Sequence, residues 1–550
     1  PRRLRFDYHS QDGVPRSTQV EFSPAPAVIA AGRAHFDLML ARSCPVVISI
    51  CIRCRHGMEP KRPTNLLASL RRARAAGADP AGVALETSNP AVNEVLRRSF
   101  ADLAMLRTET PEGPYPYAGI PWFSTVFGRD GIVTALELLW LEPAVACGVL
   151  KVLAATQSAG FDPRRAAEPG KIVHELRDGE LARLGEIPFG RYYGSVDATP
   201  LFVVLAGAYY ARTSDGATID AIWPQICAAL EWLREAGEDY GYGFVAYRGH
   251  NQAGGLLNQG WKDSEDAVFH ADGRLAAGPI ALVEVQGYVY AAWRAAAGLA
   301  RSQGDTRQAV DCEERAQGVR DRFEALYWCE DIGTYALALD GEQRPCRVRS
   351  SNPGHLLLCG LPSAERAARV AASMFNRSLF SGWGIRTLHE AEVRYNPASY
   401  HNGSVWPHDN ALIALGLRGY RQFAGVLRLT QVLFEAADAM PLRRLPELFC
   451  GFRRRRGQGP TAYPVACSPQ AWAAGAPIAL LQACLNFSFD AERRVVRMIH
   501  PRLPDSIDWM RVSRLPVGDA HIDLLLRRHG NDASVNVLQR SHDVQVELVS

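Results

Sequence analysis

The chain has 550 residues, which exceeds the roughly 250–300 residues at which one hydrophobic core stops growing, so two or three domains are expected unless one is a large barrel. Hydrophobic residues make up 47% and charged residues 22% of the sequence, as in globular proteins. The net charge of +3 gives no electrostatic commitment to nucleic acid. No apolar run approaches the roughly 20 residues that span a bilayer. From the charge and the absence of such a run, we expect neither nucleic acid nor a membrane as a partner.

The twelve cysteines are too sparse for a disulfide scaffold, which favours reduced thiols and a cytoplasmic location. Cys51 and Cys54, with Cys44 upstream, have no second pair nearby to complete four zinc ligands. We therefore predict neither a metal nor another cofactor. The first residue is Pro1 instead of methionine, so we expect the natural N-terminus to lie outside this sequence.

Short alternating segments at both ends predict β-structure. Near the N-terminus these are RLRFDYHS, STQVEFS, AHFDLMLA and PVVISICIRC, and we interpret residues 1–85 as the C-terminal part of a β-sandwich domain. HIDLLLRR, SVNVLQR and VQVELV indicate a small β-cap in residues 491–550. A helix over residues 90–107 is predicted within a connector of residues 86–114.

Helical apolar spacing dominates residues 115–490, so the fold is expected to be mainly α. The predicted helices are 130–142, 144–158, 199–213, 217–236, 280–303, 305–328, 354–360, 363–376, 405–418, 420–438 and 468–486. Long loops recur between successive helix pairs, at 111–129, 159–198, 238–279, 377–404 and 441–467. This alternation favours a toroid of helical hairpins, an (α/α)6 barrel, with its functional loops gathered at one end.

The loop from Asn258 to Gly273 carries four acidic residues and predicts a catalytic carboxyl. Asp263 follows two residues after Trp261, and a carboxyl desolvated against an indole has the raised pKa of a general acid. Asp266 and Asp272 are also consistent with turn-forming side chains. Glu265 stays undecided.

Glycoside hydrolysis needs a second carboxylate, and Glu447 in RRLPELFCGF is the candidate. A structural ion pair would also explain a lone glutamate in this apolar setting. An inverting mechanism predicts the two carboxyl groups about 6.5–9.5 Å apart, whereas a retaining pair lies roughly 5 Å apart.

Other loops carry aromatic and polar side chains that suit sugar recognition. In AGIPWFSTVFGRD, the Arg129–Asp130 pair could grip hydroxyls, or it could be a helix cap with a surface ion pair. Asp197 could face substrate, cap the helix near Thr199, or do both. The candidate substrate-binding residues are Trp122, Phe127, Arg129, Asp130, Asp197, Trp261, Lys262, Tyr400, His401, Trp406 and His408.

Three motifs in order, PWFSTVFGRD, NQGWKDS and LPEL, resemble the bacterial amylo-α-1,6-glucosidases, glycogen-debranching-enzyme-like relatives of the glucoamylase clan. The resemblance covers about residues 115–490. It implies an (α/α)6 barrel and inverting hydrolysis of terminal α-linked glucose from an α-glucan or a small α-glucoside. It also implies that Asp263 is the acid, that Glu447 is the base, and that Arg129 and Asp130 line the sugar subsite.

Three alternatives stay open at this point. A sugar isomerase or epimerase on the same barrel would use a histidine pair, for which His401 and His408 are the candidates. An inactive glycan-binding protein would keep the aromatic walls without turnover. A phosphorolytic enzyme would need an anion site, and the sequence shows no obvious anion nest.

Overall fold

The computed structural model describes residues 2–30, 32–57, 82–241, 243–249, 254–530 and 532–549. These residues form two compact units. The smaller unit comprises the described parts of residues 1–79 together with residues 178–190, and the larger unit comprises the described parts of residues 80–177 and 191–550. Among the described residues, no helix combines the length and apolar character needed to cross a membrane.

The smaller unit is built from β-structure. Its strands are β1 (Arg3–His9), β2 (Pro15–Ser23), β3 (Val28–Ala30), β4 (Arg33–His35) and β5 (Ser49–His56). The antiparallel sheet has the order β1-β2-β5, and β3 pairs with β4. The predicted strands at residues 3–10 and 17–23 are confirmed in position, and the strand predicted at 45–54 is confirmed from Ser49 onward. The strand predicted at residues 34–41 is wrong beyond His35, where the chain leaves the two-strand pairing. The unit also includes a single helical turn at Glu180–Arg183.

Twelve longer helices form the core of the larger unit. They are α1 (Pro90–Leu106), α2 (Gly128–Leu138), α3 (Pro143–Ala155), α4 (Ala198–Thr213), α5 (Gly216–Glu238), α6 (Val283–Ser302), α7 (Thr306–Leu326), α8 (Pro353–Cys359), α9 (Ala364–Met374), α10 (Pro407–Gly419), α11 (Phe423–Ala439) and α12 (Ala471–Leu485). All eleven helices predicted for this region, and the helix predicted at 90–107, are therefore confirmed with small shifts at their ends.

The even-numbered helices contact one another in a closed ring, from α2 through α4, α6, α8 and α10 to α12 and back to α2. Each odd-numbered helix packs against an even-numbered one, so the domain is a helical toroid. The helix predicted as a connector, α1, packs against α12 and α11 and completes the sixth pair.

The sequence of each helix fits its place in the toroid. Helix α12 is buried along almost its whole length, which its AWAAGAPIALLQACL sequence permits because it carries no charged side chain. Helix α7 lies outside the ring and exposes its charged residues, while Ala309, Cys312, Ala316, Val319 and Phe323 face inward. Helix α1 begins at Pro90, and the Asn89 side chain accepts hydrogen bonds from the first-turn amides of Ala91 and Val92.

Short connections join each even helix to the odd helix that follows, and long loops join each odd helix to the next even one. The long loops are residues 107–127, 156–197, 239–282, 327–352, 375–406 and 440–470. Because successive helices run in opposite directions, all six long loops meet the N-termini of the inner helices at one end. The loop 327–352 is absent from the sequence prediction.

Short strands lie before α1, in these loops and after α12. They are β6 (Ala84–Thr87), β7 (Arg107–Thr110), β8 (Gly113–Pro116), β9 (Val126–Phe127), β10 (Glu175–Leu176), β11 (Arg191–Tyr192), β12 (Ala281–Leu282), β13 (Trp328–Cys329), β14 (Thr334–Tyr335), β15 (Ala338–Leu339), β16 (Phe487–Asp490), β17 (Val495–Ile499), β18 (Trp509–Val517), β19 (Ala520–His529), β20 (Asp532–Arg540) and β21 (Gln545–Val549). The strands predicted near the C-terminus are confirmed. They form the sheets β20-β19-β18-β6 and β16-β17-β21. Since β6 pairs with β18, residues 84–87 belong to the larger unit.

Candidate active site

Asp263 lies in the loop between α5 and α6, at the loop end of the toroid. Its side chain is 30% exposed, and its Oδ2 lies 3.6 Å from Arg129 Nη2. Burial raises the pKa of Asp263 to about 6, helped by the negative charge of Asp197 and opposed by Arg129. A carboxyl with this pKa is roughly one tenth protonated at pH 7, far more than an ordinary aspartate.

Arg129 is a buried cation at the start of α2 and is paired with Asp197, from the start of α4. Arg129 Nη1 donates to Asp197 Oδ2 at 2.7 Å, and the Ser195 hydroxyl donates to Asp197 Oδ1 at 2.5 Å. Asp197 occupies the N-cap position of α4, but its side chain makes no cap hydrogen bond, and the Ser195 Oγ accepts from the Ala198 N–H instead. The interpretation of Arg129 as half of a surface ion pair is wrong, because both partners are buried.

Glu447 is buried in the loop before α12 and accepts two hydrogen bonds. The Tyr400 hydroxyl donates to Oε1, and the Cys467 N–H donates to Oε2 at 2.9 Å. Burial, with a smaller contribution from the charge of Asp263, raises the pKa of Glu447 to about 7, although both hydrogen bonds favour the ionised form. Two donors thus fix the orientation of this carboxylate.

Asp130 is a third buried carboxyl, in the first turn of α2. The helix cap position belongs to Phe127, so the interpretation of Asp130 as the cap is wrong. Gln470, directly before α12, donates its Nε2 to Asp130 Oδ1 at 3.0 Å. Burial raises the pKa of Asp130 to about 7, Arg129 opposes the rise, and the charges of Glu447 and Asp263 add to it. The three carboxyls therefore interact electrostatically.

Aromatic rings pack tightly behind the carboxyls. Trp261 is stacked on His355 and contacts His401, Trp406 and His408 edge to face. His401 is stacked on Trp406, with ring centroids 5.1 Å apart. These rings are almost fully buried, and the cluster adjoins Asp263 through Trp261, two residues earlier in the chain.

His408, the last of these rings, is stacked on Trp472 at 3.8 Å. Burial lowers the pKa of His408 and of His401 well below the usual value, so both imidazoles are neutral.

The remaining predicted substrate-binding residues take different positions. Trp122 is 55% exposed and is held by one hydrogen bond from Nε1 to the Val465 carbonyl, which leaves a ring face open at the rim. Phe127 is buried against Phe123 and His174. Lys262 is buried among protein groups.

The sequence prediction missed several neighbours of the site. Glu175, in β10, is buried opposite Phe127 and paired with Arg177 at 3.1 Å, and its raised pKa comes first from burial and also from the charge of Asp263. Glu175 lies in the segment EPGKIVHELRDGE, in which no sequence pattern singles it out. The other missed neighbours are Ser195, Asn352 and Gln470, none of which belongs to a motif.

The four acids of the Asp263 loop take different roles in the structure. Asp272 accepts from the Arg274 N–H two residues on, which confirms the turn interpretation. Asp266 accepts from the side chain of Asn402 through both its Oδ2 and its backbone carbonyl. No group of three or more His, Cys, Asp and Glu side chains in the described part of the chain is arranged to hold a metal ion.

The sequence matches the model of the mannosylglycerate hydrolase MGH1-like glycoside hydrolase domain over residues 126–444, which is more than half of the chain. The toroid with carboxyls on its loops is therefore a glycoside hydrolase domain. The chain belongs to this MGH1-like family. The matched range includes Asp263 and ends three residues before Glu447. A search of curated proteins finds no match.

Solved structures share the fold at low sequence identity. The GH78 family rhamnosidase of Bacillus sp. GL1 is 14% identical with a TM-score of 0.60, and the match covers 100% of this chain and 54% of that one. A sialidase is 12% identical with a TM-score of 0.57, covering 84% and 41%. The GH63 mannosylglycerate hydrolase of Thermus thermophilus, in complex with glucose, is 16% identical with a TM-score of 0.52, covering 70% and 99%. The chain thus spans about half the length of the rhamnosidase and the sialidase.

Proposed function

We propose that the protein cleaves a terminal α-glycosidic bond by single displacement with inversion. The observation that carries the proposal is a pair of carboxyls, Asp263 and Glu447, on separate loops at one end of the toroid, with pKa values raised to about 6 and about 7. Glycoside hydrolysis needs one protonated carboxyl and one carboxylate. Two raised pKa values near neutrality let one site hold both forms.

Hydrogen bonds, and not the order of the two pKa values, support the assignment of roles. Glu447 accepts from a peptide N–H and a phenol, and a carboxylate suits both donors. Asp263 has a partly exposed carboxyl whose contact with Arg129 is long. We therefore assign Asp263 as the acid that protonates the glycosidic oxygen and Glu447 as the base that deprotonates the attacking water.

The other groups bind the sugar and stabilise the transition state. Trp122 offers an exposed ring face for stacking, and Tyr400, Trp261 and Trp406 form the wall and floor. We propose that Arg129 and Asp130 contact sugar hydroxyls. Asp197, His401 and His408, which the sequence also suggested for this role, are buried; Asp197 holds Arg129, and the two histidines belong to the aromatic cluster. The predicted separation of about 6.5–9.5 Å between the carboxyl groups of Asp263 and Glu447 remains part of this proposal. We also propose that the toroid is an (α/α)6 barrel, which its six inner and six outer helices support. The β-structure before residue 84 is then the C-terminal part of a β-domain, and residues 491–550, whose sheet includes β6, are a small β-cap within the larger unit.

The preferred substrate is a terminal α-linked glucose of an α-glucan or a small α-glucoside, as the motif resemblance implies. A second candidate, mannosylglycerate, follows from the family match and the name of the matched hydrolase. Charge favours the neutral glucoside. In the described part of the chain, two cations that neighbour the carboxyls, the guanidiniums of Arg129 and Arg177, are already paired with Asp197 and Glu175, whereas an anionic glycerate needs an available cation.

An isomerase or epimerase reaction is the weaker hypothesis. His401 and His408, the residues that would transfer protons, are neutral and confined in aromatic stacks. A proton-transfer pair needs pKa values near the operating pH and room to reach the substrate.

A substrate panel with NMR detection tests the proposal. The panel contains α-1,6- and α-1,4-linked glucose disaccharides, a branched glucan and α-mannosylglycerate. We expect the first product to be the β-anomer of the released sugar, and we expect turnover to vanish in both Asp263→Asn and Glu447→Gln. Full activity in either variant, or release of the α-anomer first, would overturn the mechanism. Interconverted sugar without cleavage would indicate an isomerase, and binding without turnover by the parent would indicate a glycan-binding protein.

A further inference from the structure

The carboxyl of Asp263 has a single long ion contact, but the residues on either side of it are firmly held. A general acid must point its proton at the glycosidic oxygen, and misplacement by roughly 1 Å can cost about 100-fold in rate. The aspartate side chain has only two torsions, so the direction of its carboxyl depends on where the backbone places the Cα–Cβ bond. The anchors of the neighbouring residues therefore bear on catalysis.

Lys262, immediately before the acid, is the strongest of these anchors. Its Nζ donates to Asn352 Oδ1 at 2.6 Å and to the Thr387 carbonyl at 2.7 Å, and it lies 5.0 Å from the centroid of the Trp261 ring. The residue is 5% exposed. Asn352 ends the loop before α8 and Thr387 lies in the loop before α10, so one ammonium group ties the loop of Asp263 to two others.

Ser264, immediately after the acid, is anchored from the opposite side. Its N–H and its hydroxyl both lie within hydrogen-bond distance of His401 Nδ1, at 3.3 and 2.7 Å. Its carbonyl accepts from Asn258 Nδ2 at 2.6 Å. Because a peptide N–H can only donate, His401 Nδ1 is the acceptor and the ring proton sits on Nε2.

We propose that Lys262 is a positioning residue for the general acid, and that its ammonium group, clamped between Asn352 and the Thr387 carbonyl, directs the Asp263 carboxyl towards the glycosidic oxygen. The inference rests on the assignment of Asp263 as the acid. It replaces the sequence-derived role of Lys262 in sugar binding, because both hydrogen bonds of its Nζ end on buried protein groups. The buried charge is compensated by Asp409 and Glu284, which raise the pKa of Lys262 against the lowering effect of burial.

The test compares leaving groups in Lys262→Met. A poor leaving group such as methanol needs the proton of the acid, whereas dinitrophenolate departs without it. We expect kcat/KM on the methyl glycoside to fall about 100-fold and kcat/KM on the dinitrophenyl glycoside of the same sugar to fall less than about threefold. The matched control is Lys171→Met. Lys171 lies in a different loop and is also a buried ammonium, which donates a hydrogen bond to the Ala166 carbonyl at 3.1 Å. That variant should change both substrates equally.

The reference is Asp263→Asn, which should show the largest difference between the two leaving groups. If Asp263→Asn loses both activities equally, the assignment of the acid fails, and with it the proposed function. If Asp263→Asn discriminates but Lys262→Met does not, the role of Lys262 is purely structural and this inference is overturned. Should Lys262→Met not fold, Asn352→Leu removes one of the two acceptors. It should reproduce the leaving-group effect at a smaller size, and equal losses there would also overturn the inference.

Discussion

Replacing Tyr400 by phenylalanine tests how the site sets the pKa of the proposed base, Glu447. The Tyr400 hydroxyl donates to Glu447 Oε1 and favours the carboxylate, so removing it raises the pKa of Glu447. A hydrogen bond to a charged group contributes about 1.5–3 kcal/mol. One pKa unit corresponds to about 1.4 kcal/mol, and solvent will replace part of the lost bond, so we expect a rise of about one unit.

The rise should change both the shape and the height of the pH profile. With pKa values of about 6 for Asp263 and about 7 for Glu447, the productive form has Asp263 protonated and Glu447 ionised. It makes up only roughly one tenth of the singly protonated enzyme. In Tyr400→Phe we therefore expect kcat/KM at the optimum to fall about tenfold and the upper limb to move up by about one unit, with the lower limb unchanged.

The pH dependence of kcat/KM on a methyl glycoside measures this directly. The control is Tyr463→Phe, since the Tyr463 ring lies beside Tyr400 at 5.6 Å and Glu447 receives its hydrogen bond from Tyr400. A lowered kcat/KM with both limbs unmoved would refute the reasoning, because Tyr400 would then act only through the substrate. A shifted upper limb without loss at the optimum would mean that Glu447 is the acid and Asp263 the base.

Three further variants follow from the structure. Asp197→Asn removes the charge of the closer of the two carboxylates that contact the buried Arg129 and should lower the free energy of unfolding by about 3 kcal/mol in urea titrations. The exposed Asp272→Asn should change it by less than about 0.5 kcal/mol. Trp122→Ala should raise KM about tenfold with little change in kcat, measured by initial rates, since its exposed ring contributes stacking alone. Glu447→Gln should gain stability relative to the parent as pH rises. The pKa of Glu447 is raised from 4.5 to about 7 on folding, so the free energy of unfolding of the parent falls by up to about 3 kcal/mol between pH 4.5 and 7. A difference in melting temperature between the variant and the parent that stays constant over this pH range would contradict the prediction.

The helices and the loop order were predictable because each depends on local sequence. Apolar residues at helical spacing place the twelve longer helices, and Pro and Asn mark starts such as that of α1 at Pro90. The loop 327–352 escaped prediction because residues 329–353 contain one aromatic residue, Tyr335, and so lacked the composition that marked the other loops. A length criterion alone would have found it.

The partners within the site were less predictable, because they depend on which loops meet. Glu447 and Asp263 stood out for their aromatic and apolar neighbours in sequence. Gln470, which holds Asp130, is an ordinary polar residue before a helix, and its role appears only when α2 and α12 are adjacent. Lys262 illustrates the same limit, since its place beside the acid suggested contact with sugar while its side chain points into the protein.

The three carboxyls share one electrostatic environment, and this affects how the proposed acid, Asp263, obtains its proton. Asp130, Asp263 and Glu447 all have raised pKa values because they are buried, and the charge of Asp263 raises the pKa values of the other two. Arg129 lowers the pKa of both Asp130 and Asp263. Near neutral pH the group therefore retains protons that isolated carboxyls would lose, and its titration is coupled. The protonated fraction of Asp263, the proposed acid, therefore depends on all three carboxyls, and Arg129 lowers that fraction.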